Sequence, residues 1–282
     1  MFNALSFFAA TALAASTPDC ASIDGAEKVL ANMNMNFLVV GELHGTAQTP
    51  AIFADLVCLA GKQRGKIIVG VEFPVSDQPL IDAFMASNDF EAARAELLKS
   101  WVWAANEDGR SSIAMLAMLE RLRGYVRSGL VRRVVAIQPI DSMNNEEYEL
   151  RMAQPLLDAQ QQDGILTLFL VGNAHARLIK SKFGTKPYWP MAYWLPEKQT
   201  VTLDTVSNGG SSWNCMSEGV TAEGKPNIVC KARSERTPRE LYRRGIVVSE
   251  EARADGYSGT FRLGIETTAS HSAKHGNILK AQ

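Results

Sequence analysis

The sequence has almost no net charge, and this lack argues against a nucleic-acid-binding protein. Its 29 lysine and arginine residues are balanced by 30 aspartate and glutamate residues, which gives a formal net charge of −1. Proteins that bind nucleic acids present a basic face. The one basic run, residues 121–133, falls on a predicted amphipathic helix and is typical of a solvated helix face. We expect a small-molecule or peptide substrate and no nucleic-acid partner.

Long hydrophobic runs are also lacking, apart from a short one at the N-terminus. The first residues, MFNALSFFAATALAAS, have an apolar core from Ala4 to Ala15, which is too short to span a bilayer comfortably. Small residues at Ala12-Leu13-Ala14 are typical of a cleavage site, although no lysine or arginine precedes the core. The sequence therefore predicts a signal peptide at residues 1–14, a periplasmic or secreted protein, and no stable membrane anchor after cleavage. A short membrane anchor is the alternative.

Cysteine is scarce, and no two of the four cysteines have zinc-knuckle spacing. An even number of cysteines in an exported protein indicates two disulfides, for which four cysteines allow three pairings. Cys215 and Cys230 are near each other in the sequence and flank a loop, so we predict that they pair. Cys20 is then left for Cys58. Four unpaired thiols, with Cys58 buried on its helix, are the alternative.

Short apolar runs alternate with segments of helical periodicity. Strands are predicted at residues 37–40, 66–73, 132–140 and 165–171. Helices are predicted at residues 49–60, 112–128, 146–162 and 175–183. This alternation indicates an α/β fold with a mainly parallel central sheet and helices on both faces.

After Gly184 the helical periodicity is lost. The stretches QTVTLDTV, NIVCKA and TFRLGIET are strand-like, and no polar linker precedes them. We therefore expect extra C-terminal strands that extend the same sheet, together with a disulfide-closed loop. The predicted organisation is one α/β domain at residues 15–282, with a core at 37–183 and a C-terminal β extension at 184–268. The tail from about Ala269 is expected to fray.

Two stretches of the sequence echo each other. FLVVGELHG and FLVGNAHAR both run from an apolar strand through glycine to a histidine, which is His44 in the first and His175 in the second. In open parallel sheets, ligands bind at the carboxyl ends of the strands. Glycine at such a junction allows a tight turn and a close approach of backbone to ligand. The two histidines are therefore expected at one rim of the sheet.

Two glutamates follow the same pattern. Glu42 lies in the first stretch, and Glu72 lies within Val71-Glu72-Phe73, where an unpaired carboxylate would be costly to bury. Two carboxylates and two imidazoles can bind a divalent transition metal such as Zn, Mn or Co. Alternatively, one histidine acts as general base toward water while the carboxylates orient it and handle protons. Helix capping and salt bridges are the structural alternative. His271 and His275, in a polar tail, are expected to be solvated and to have no role.

A further loop has the composition of a binding site. In NEDGRSS, Asp108 and Arg110 flank a glycine just before a predicted helix, and backbone donors at a helix N-terminus favour anions. The two residues are candidates for substrate binding. An ordinary capping turn is the alternative.

At these residues the sequence resembles a superfamily that includes erythromycin esterases, the ChaN-type haem-uptake lipoproteins, and the Tiki and TraB-like metalloproteases. The shared pattern is Gly-Glu-x-His after the first strand, a glutamate ending the next, and a late Gly-x-x-His. Here these are Gly41-Glu42-Leu43-His44, Glu72 and Gly172-Asn173-Ala174-His175. Members often carry an arginine and a Met-Ala pair on the helix before the last core strand. This chain has Arg151-Met152-Ala153, so the resemblance makes Arg151 a further candidate for substrate binding.

The resemblance implies an exported hydrolase of esterase or peptidase type. His44 would be the base or a metal ligand, Glu42 and Glu72 would orient water or ligate, and His175 would complete the site. No Gly-x-Ser-x-Gly is present to support a serine hydrolase. The alternative is a haem- or small-ligand-binding protein without catalysis, for which the aromatic loop PYWPMAYWL could stack a planar ligand. Cys20 follows Thr17-Pro18-Asp19 rather than a lipobox, which disfavours the lipoprotein branch.

Overall fold

The computed structural model describes residues 18–141, 144–182, 186–251 and 253–274. The predicted signal peptide at residues 1–14 and His275 lie outside the described residues. The elements in chain order are α1 (Ala26–Leu30), β1 (Phe37–Glu42), α2 (Gln48–Arg64), β2 (Ile67–Pro74), α3 (Gln78–Ala86), α4 (Phe90–Leu97), α5 (Trp101–Ala104), α6 (Ile113–Arg127), β3 (Val131–Gln138), α7 (Asn145–Asp163), β4 (Thr167–Gly172), β5 (Thr200–Val206), β6 (Gly210–Val220), β7 (Pro226–Glu235), β8 (Gly245–Val248) and β9 (Gly259–Arg262).

Short polar side chains begin the two long helices that flank the site. The Ser112 side chain accepts a hydrogen bond from the Met115 backbone N–H at the start of α6. Asn144 does the same for the N–H of Glu147 at the start of α7. Such caps satisfy backbone donors that have no partner inside the helix. At the other end of α7, Gly164 adopts a left-handed conformation and ends the helix.

The strands of the described residues form a main sheet of seven, in the order β3-β2-β4-β1-β5-β9-β8. All neighbours pair in parallel except β8, which is antiparallel to β9. Glu42 at the end of β1 is aligned with Gly172 at the end of β4. The carboxyl ends of β2, β4 and β1 therefore meet at one rim. The predicted α/β fold with a mainly parallel sheet is confirmed.

Alternate residues of the central strands pack on opposite faces of the sheet. Leu38 and Val40 of β1 belong to the core that includes α2, α3 and α6. Phe37 and Val39 belong to the core that includes α7. All four are at most 1% exposed, and burying such a side chain stabilises the fold by roughly 1.5–3 kcal/mol. Because both faces are covered, the strands are continuous apolar runs rather than alternating ones.

The C-terminal half follows the prediction in part. The stretches that form β5 and β9 extend the sheet beside β1. NIVCKA does not, because it lies in β7, which pairs with β6 in a separate antiparallel hairpin. Its side chains are largely exposed, so this strand has no apolar face with which to join the core.

All four cysteines lie in the described part of the chain, and both predicted disulfides are present. Cys20 is bonded to Cys58, which ties the N-terminal segment to α2. Cys215 is bonded to Cys230. These two residues face each other across the β6–β7 hairpin, so this disulfide joins two strands and does not close an irregular loop as expected.

The helix predicted at residues 175–183 is wrong. The described residues after β4 form turns instead, because their backbone groups bond to distant segments. The Asn173 N–H donates to the Glu42 carbonyl, the Leu178 N–H donates to the Gly256 carbonyl, and the His175 carbonyl accepts from Ala192. A helix would require these groups to bond four residues along the chain.

The tail expected to fray from Ala269 is ordered as far as the described residues go. The Ser270 N–H donates to the Gly45 carbonyl, and the Ala273 N–H donates to the Ser111 carbonyl. His271, expected to be solvated, is half-buried, and its ring meets the Trp213 indole edge-on at 6.1 Å between centroids.

Glycines let three segments touch backbone to backbone beside the His44 turn. A Cβ on Gly45, which has a φ of +80°, would lie 2.1 Å from the Trp213 carbonyl oxygen at the base of the hairpin. A Cβ on Gly109 would lie 2.1 Å from the Gly45 nitrogen. The loop with Asp108 and Arg110 is therefore held directly against the turn that carries His44.

None of the helices in the described residues has the length and apolar character that crossing a membrane requires.

We predict that Gly109→Ala lowers the free energy of unfolding by about 1–3 kcal/mol, because its Cβ would collide with the backbone of His44 and Gly45. Gly124→Ala is the matched control. It lies within α6 with no heavy atom near the added Cβ, so it should raise the free energy of unfolding by up to about 1 kcal/mol. Urea denaturation of both variants measures the difference, and equal effects would contradict the close packing.

Candidate active site

The rim of the sheet brings together the four residues that the sequence singled out. Glu42 ends β1, His44 follows it, Glu72 lies near the end of β2, and His175 follows β4. Glu42 and Glu72 are only 2% and 4% exposed. The two histidines are partly exposed, so the four side chains form one cluster that is buried at its carboxylates and open at its imidazoles.

His44 lies between two carboxylates. Its Nδ1 is 2.9 Å from Glu42 Oε1, and its Nε2 is 3.5 Å from Glu72 Oε2. Burial alone would lower the pKa of His44, but the charges and hydrogen bonds of Glu72 and Glu42 outweigh it and raise the pKa to about 10. His44 is therefore an imidazolium at neutral pH.

His175 is held in the same way by a different carboxylate. Its Nδ1 is 2.8 Å from Glu149 Oε2, and its Nε2 is 3.8 Å from Glu72 Oε1. The Met191 N–H donates to Glu149 Oε2 at 2.7 Å and holds that carboxylate in place. Burial lowers the pKa of His175, Glu72 and Glu149 raise it by more, and the positive charge of His44 opposes them. The net shift is upward.

Glu72 is the centre of the cluster. The Gly172 N–H donates to its Oε2 at 2.7 Å, and the guanidinium of Arg110 lies 3.5 Å from its Oε1. Burial would raise the pKa of Glu72, but His44, His175 and Arg110 together hold it well below its usual range. Glu72 is therefore ionised throughout the physiological range.

Glu42 carries an oxygen without a protein partner. Its Oε1 bonds to His44, while its buried Oε2 has no hydrogen-bond partner among the residues that the structure describes. Burial raises the pKa of Glu42 despite the hydrogen bond from His44. The pKa values of Glu42 and His44 are both raised, so the pair shares at least one proton up to alkaline pH.

Arg110 lies beside the cluster, and its role in substrate binding stays a prediction. One amino nitrogen of its guanidinium lies 2.6 Å from Asp108 Oδ2, and its backbone N–H donates to Asp108 Oδ1. Asp108 thus caps its own loop and aims the arginine at Glu72.

Arg151 does not reach the cluster. It pairs with Glu147 at 2.5 Å, donates to the Asp141 carbonyl, and is about half exposed. On α7 it lies two residues from Glu149, which places it on the opposite side of the helix.

Sequence reasoning missed two residues near the cluster, Glu149 and Tyr148. Glu149 shares the buried face of α7 with Met152 and Leu156, at spacings of three and seven residues. A glutamate on the apolar face of a helix is a signal that could have found it, because carboxylates are almost never fully buried without a partner.

The donor set does not fit a metal ion. No group of three or more His, Cys, Asp or Glu side chains in the described residues is arranged to hold one. The oxygens of Glu72, which both histidine Nε2 atoms face, are already occupied by the Gly172 amide and by Arg110. A guanidinium beside the central carboxylate also opposes a second cation through charge repulsion.

The aromatic loop that could stack haem stacks on itself. The Trp189 and Tyr193 rings are parallel at 3.8 Å between centroids, and the Lys180 ammonium lies 4.9 Å from the Trp189 ring. Haem binding stays a prediction.

Comparisons with known proteins support the fold. No family model matches the chain, and a search of curated proteins finds no match. Among solved structures, a succinoglycan biosynthesis protein matches with a TM-score of 0.59 at 11% identity, over 87% of this chain and 91% of that chain. A mutant of the erythromycin esterase EreC in its open conformation matches with a TM-score of 0.58 at 10% identity, over 89% of this chain and 95% of that chain.

Bacterial toxin structures also match, but over part of their length. One bacterial protein toxin structure gives a TM-score of 0.43 at 18% identity over 74% of this chain, and the chain spans only 38% of it. At such identities, similarity shows the fold alone. The resemblance seen in the sequence is therefore confirmed at the level of the fold, which is that of the erythromycin esterase structure.

Proposed function

We propose that the chain is a hydrolase that activates water with its imidazole–carboxylate cluster. The observation that carries the proposal is the pair of histidines, His44 and His175, whose Nε2 atoms both face Glu72 while their Nδ1 atoms face separate buried carboxylates. Each pair has the geometry of a general base or acid that is oriented by a carboxylate.

A structural role accounts poorly for such a cluster. Burying several ionised groups carries a desolvation penalty that apolar residues of similar volume would avoid. The rim holds Glu42, Glu72, Glu149 and two imidazoles where a stable fold needs none of them. Strongly shifted pKa values in a group at the end of parallel strands are typical of a functional site.

The two histidines are proposed to have different roles. His44 lies between two carboxylates and keeps its proton, whereas the positive charge of His44 opposes the protonation of His175, which in our proposal loses its proton first. Groups whose pKa values are pushed apart divide into acid and base. Neutral His175, oriented by Glu149, takes the proton from water. The His44 imidazolium and Arg110 supply positive charge for the oxygen of the tetrahedral intermediate.

Esters are the first substrate class to test, because the fold is shared with an erythromycin esterase, and peptides are the second. The proposed mechanism uses no metal, since the donor set does not fit one.

We predict that the purified protein hydrolyses members of a panel of simple esters and peptides, and that His175→Ala lowers kcat by about 100- to 10,000-fold. Circular dichroism of the variant should match that of the wild type. EDTA should leave the activity unchanged. Loss of activity with EDTA, restored by Zn, Mn or Co, would show instead that the four residues bind a metal.

Inactivity on the whole panel would contradict the hydrolase. In that case a haem titration tests the binding-protein alternative, which predicts a shift of the haem Soret band at micromolar protein.

We predict a bell-shaped dependence of kcat/KM on pH. Activity requires neutral His175, so it should rise with pH through a pKa above 6.5, and it should fall as His44 loses its proton near pH 10. Glu149→Gln removes a negative charge that favours the His175 imidazolium, so the acid limb should move to lower pH and kcat should fall. Stopped-flow assays across pH measure both limbs.

Glu147→Gln is the matched control, because it makes the same change on the same helix at a residue that pairs with Arg151. It should leave both limbs in place. An unmoved acid limb in Glu149→Gln would contradict the assignment of His175 as base.

We also propose that the protein works in the periplasm or outside the cell, where both disulfides can form. Removing residues 1–14 should keep the chain in the cytoplasm and leave the four cysteines reduced. Cell fractionation with thiol labelling measures this. Export of the shortened chain would contradict the signal peptide.

A further inference from the structure

Tyr148 lies against the proposed base. It directly precedes Glu149 in the first turns of α7, and its ring centroid is 6.1 Å from that of His175 at an interplanar angle of 39°. Its side chain is half-buried. The backbone that sets Glu149 against His175 therefore also sets the phenol beside the same imidazole.

The phenol lies within the electrostatic field of the cluster. Burial and the negative charge of Glu72 raise the pKa of Tyr148 to about 12, against the opposing effects of Arg110 and of a hydrogen bond with Gln138. A hydrogen bond with Gln138, at the end of β3, also ties the phenol to the rim of the sheet that carries the cluster.

We propose that Tyr148 is a further catalytic residue, which donates its phenolic proton to the leaving alkoxide as the ester C–O bond breaks. This inference rests on the proposed hydrolase. It gives that reaction a proton donor distinct from the group that activates water.

The proton balance closes within the cluster. His175 takes a proton from water, and the resulting hydroxide attacks the carbonyl carbon. The C–O bond of the tetrahedral intermediate breaks, and the departing oxygen takes the proton of Tyr148. The His175 imidazolium then returns a proton to the phenolate through solvent, so the net reaction consumes one ester and one water and yields an acid and an alcohol.

Other donors in the cluster fit this step less well. Arg110 holds its protons too strongly to transfer one, because its guanidinium is charged at all physiological pH values. The His44 imidazolium is paired with Glu42 and directs its Nε2 toward Glu72. A half-buried phenol that is protonated at neutral pH gives up its proton only to a stronger base, and an alkoxide is one.

The test compares two leaving groups in Tyr148→Phe. Ethyl acetate releases a strongly basic ethoxide that needs a proton, whereas p-nitrophenyl acetate releases a stable anion that does not. We expect kcat for ethyl acetate to fall about 100- to 10,000-fold, the range for loss of general acid catalysis. We expect kcat for p-nitrophenyl acetate and both KM values to stay nearly unchanged. A purely structural role would lower both activities together and leave their ratio unchanged.

Tyr125→Phe is the matched control. It removes the same hydroxyl from α6, where that oxygen accepts a hydrogen bond from Arg121 at 2.8 Å, and it should leave the ratio of the two activities unchanged. A second variant, Gln138→Leu, should lower the ethyl acetate rate selectively and by less than Tyr148→Phe.

Each outcome decides the inference. Equal losses on the two esters, or no loss on either, in Tyr148→Phe would overturn the proton donor and leave the hydrolase standing. Wild-type protein that hydrolyses neither ester nor any other ester of the panel would overturn the hydrolase and the donor together.

Discussion

The buried carboxylate of Glu72 is the interaction on which the site depends. It faces both imidazole Nε2 atoms, the Gly172 amide and the guanidinium of Arg110. These partners come from two other strand ends and one loop, so the charge of a single side chain holds distant segments in one arrangement. Without that charge, the His44 imidazolium and the Arg110 guanidinium would repel each other in a poorly solvated space, and a protonated His175 would add to the repulsion.

The strand order makes this arrangement possible, and it also explains one glycine. His44 follows β1 and Glu72 ends β2, yet β4 lies between those two strands. The imidazole must therefore pass over the end of β4 to reach the carboxylate. A Cβ at Gly172 would lie 2.9 Å from His44 Nε2 and 3.5 Å from Glu72 Oε2. Glycine at this junction thus provides room for a side chain to cross, in addition to the close backbone approach expected from the sequence.

Much of the fold could be predicted from the sequence. The strand at Phe37–Glu42 and its parallel neighbours are continuous apolar runs, and such runs are typical of a sheet that is buried on both faces. Glu42, His44, Glu72 and His175 could be predicted because strand-following residues of parallel sheets converge. Glu149 and Tyr148 could not be placed that way, since they come from the middle of a crossover connection and reach the rim only through the packing of α7.

The remaining errors have a common cause in long-range contacts. Residues from His175 onward have helical composition, but backbone bonds to Ala192 and Gly256 hold them in turns. NIVCKA has the composition of a strand, as predicted, but composition does not specify its partner, and it pairs with β6 rather than with the main sheet. The sequence predicts that the hairpin segment extends the sheet and that the tail frays. Instead, both bond to the Gly45 carbonyl in the His44 turn, the hairpin through the Trp213 N–H and the tail through the Ser270 N–H.

The two histidines show how similar sequence motifs acquire different chemistry. Both follow an apolar strand and a glycine, and both have Nδ1 on a carboxylate and Nε2 toward Glu72. The difference lies in what supports each carboxylate. Glu149 accepts a backbone hydrogen bond from Met191 on the same oxygen that is nearest to His175, which leaves less of its charge for the imidazole. Glu42 has an unpartnered oxygen in the described residues, so His44 is its main source of compensation and the proton stays with that pair. In the proposed mechanism these different surroundings go with different roles: the His44 imidazolium supplies positive charge, and His175 takes the proton from water.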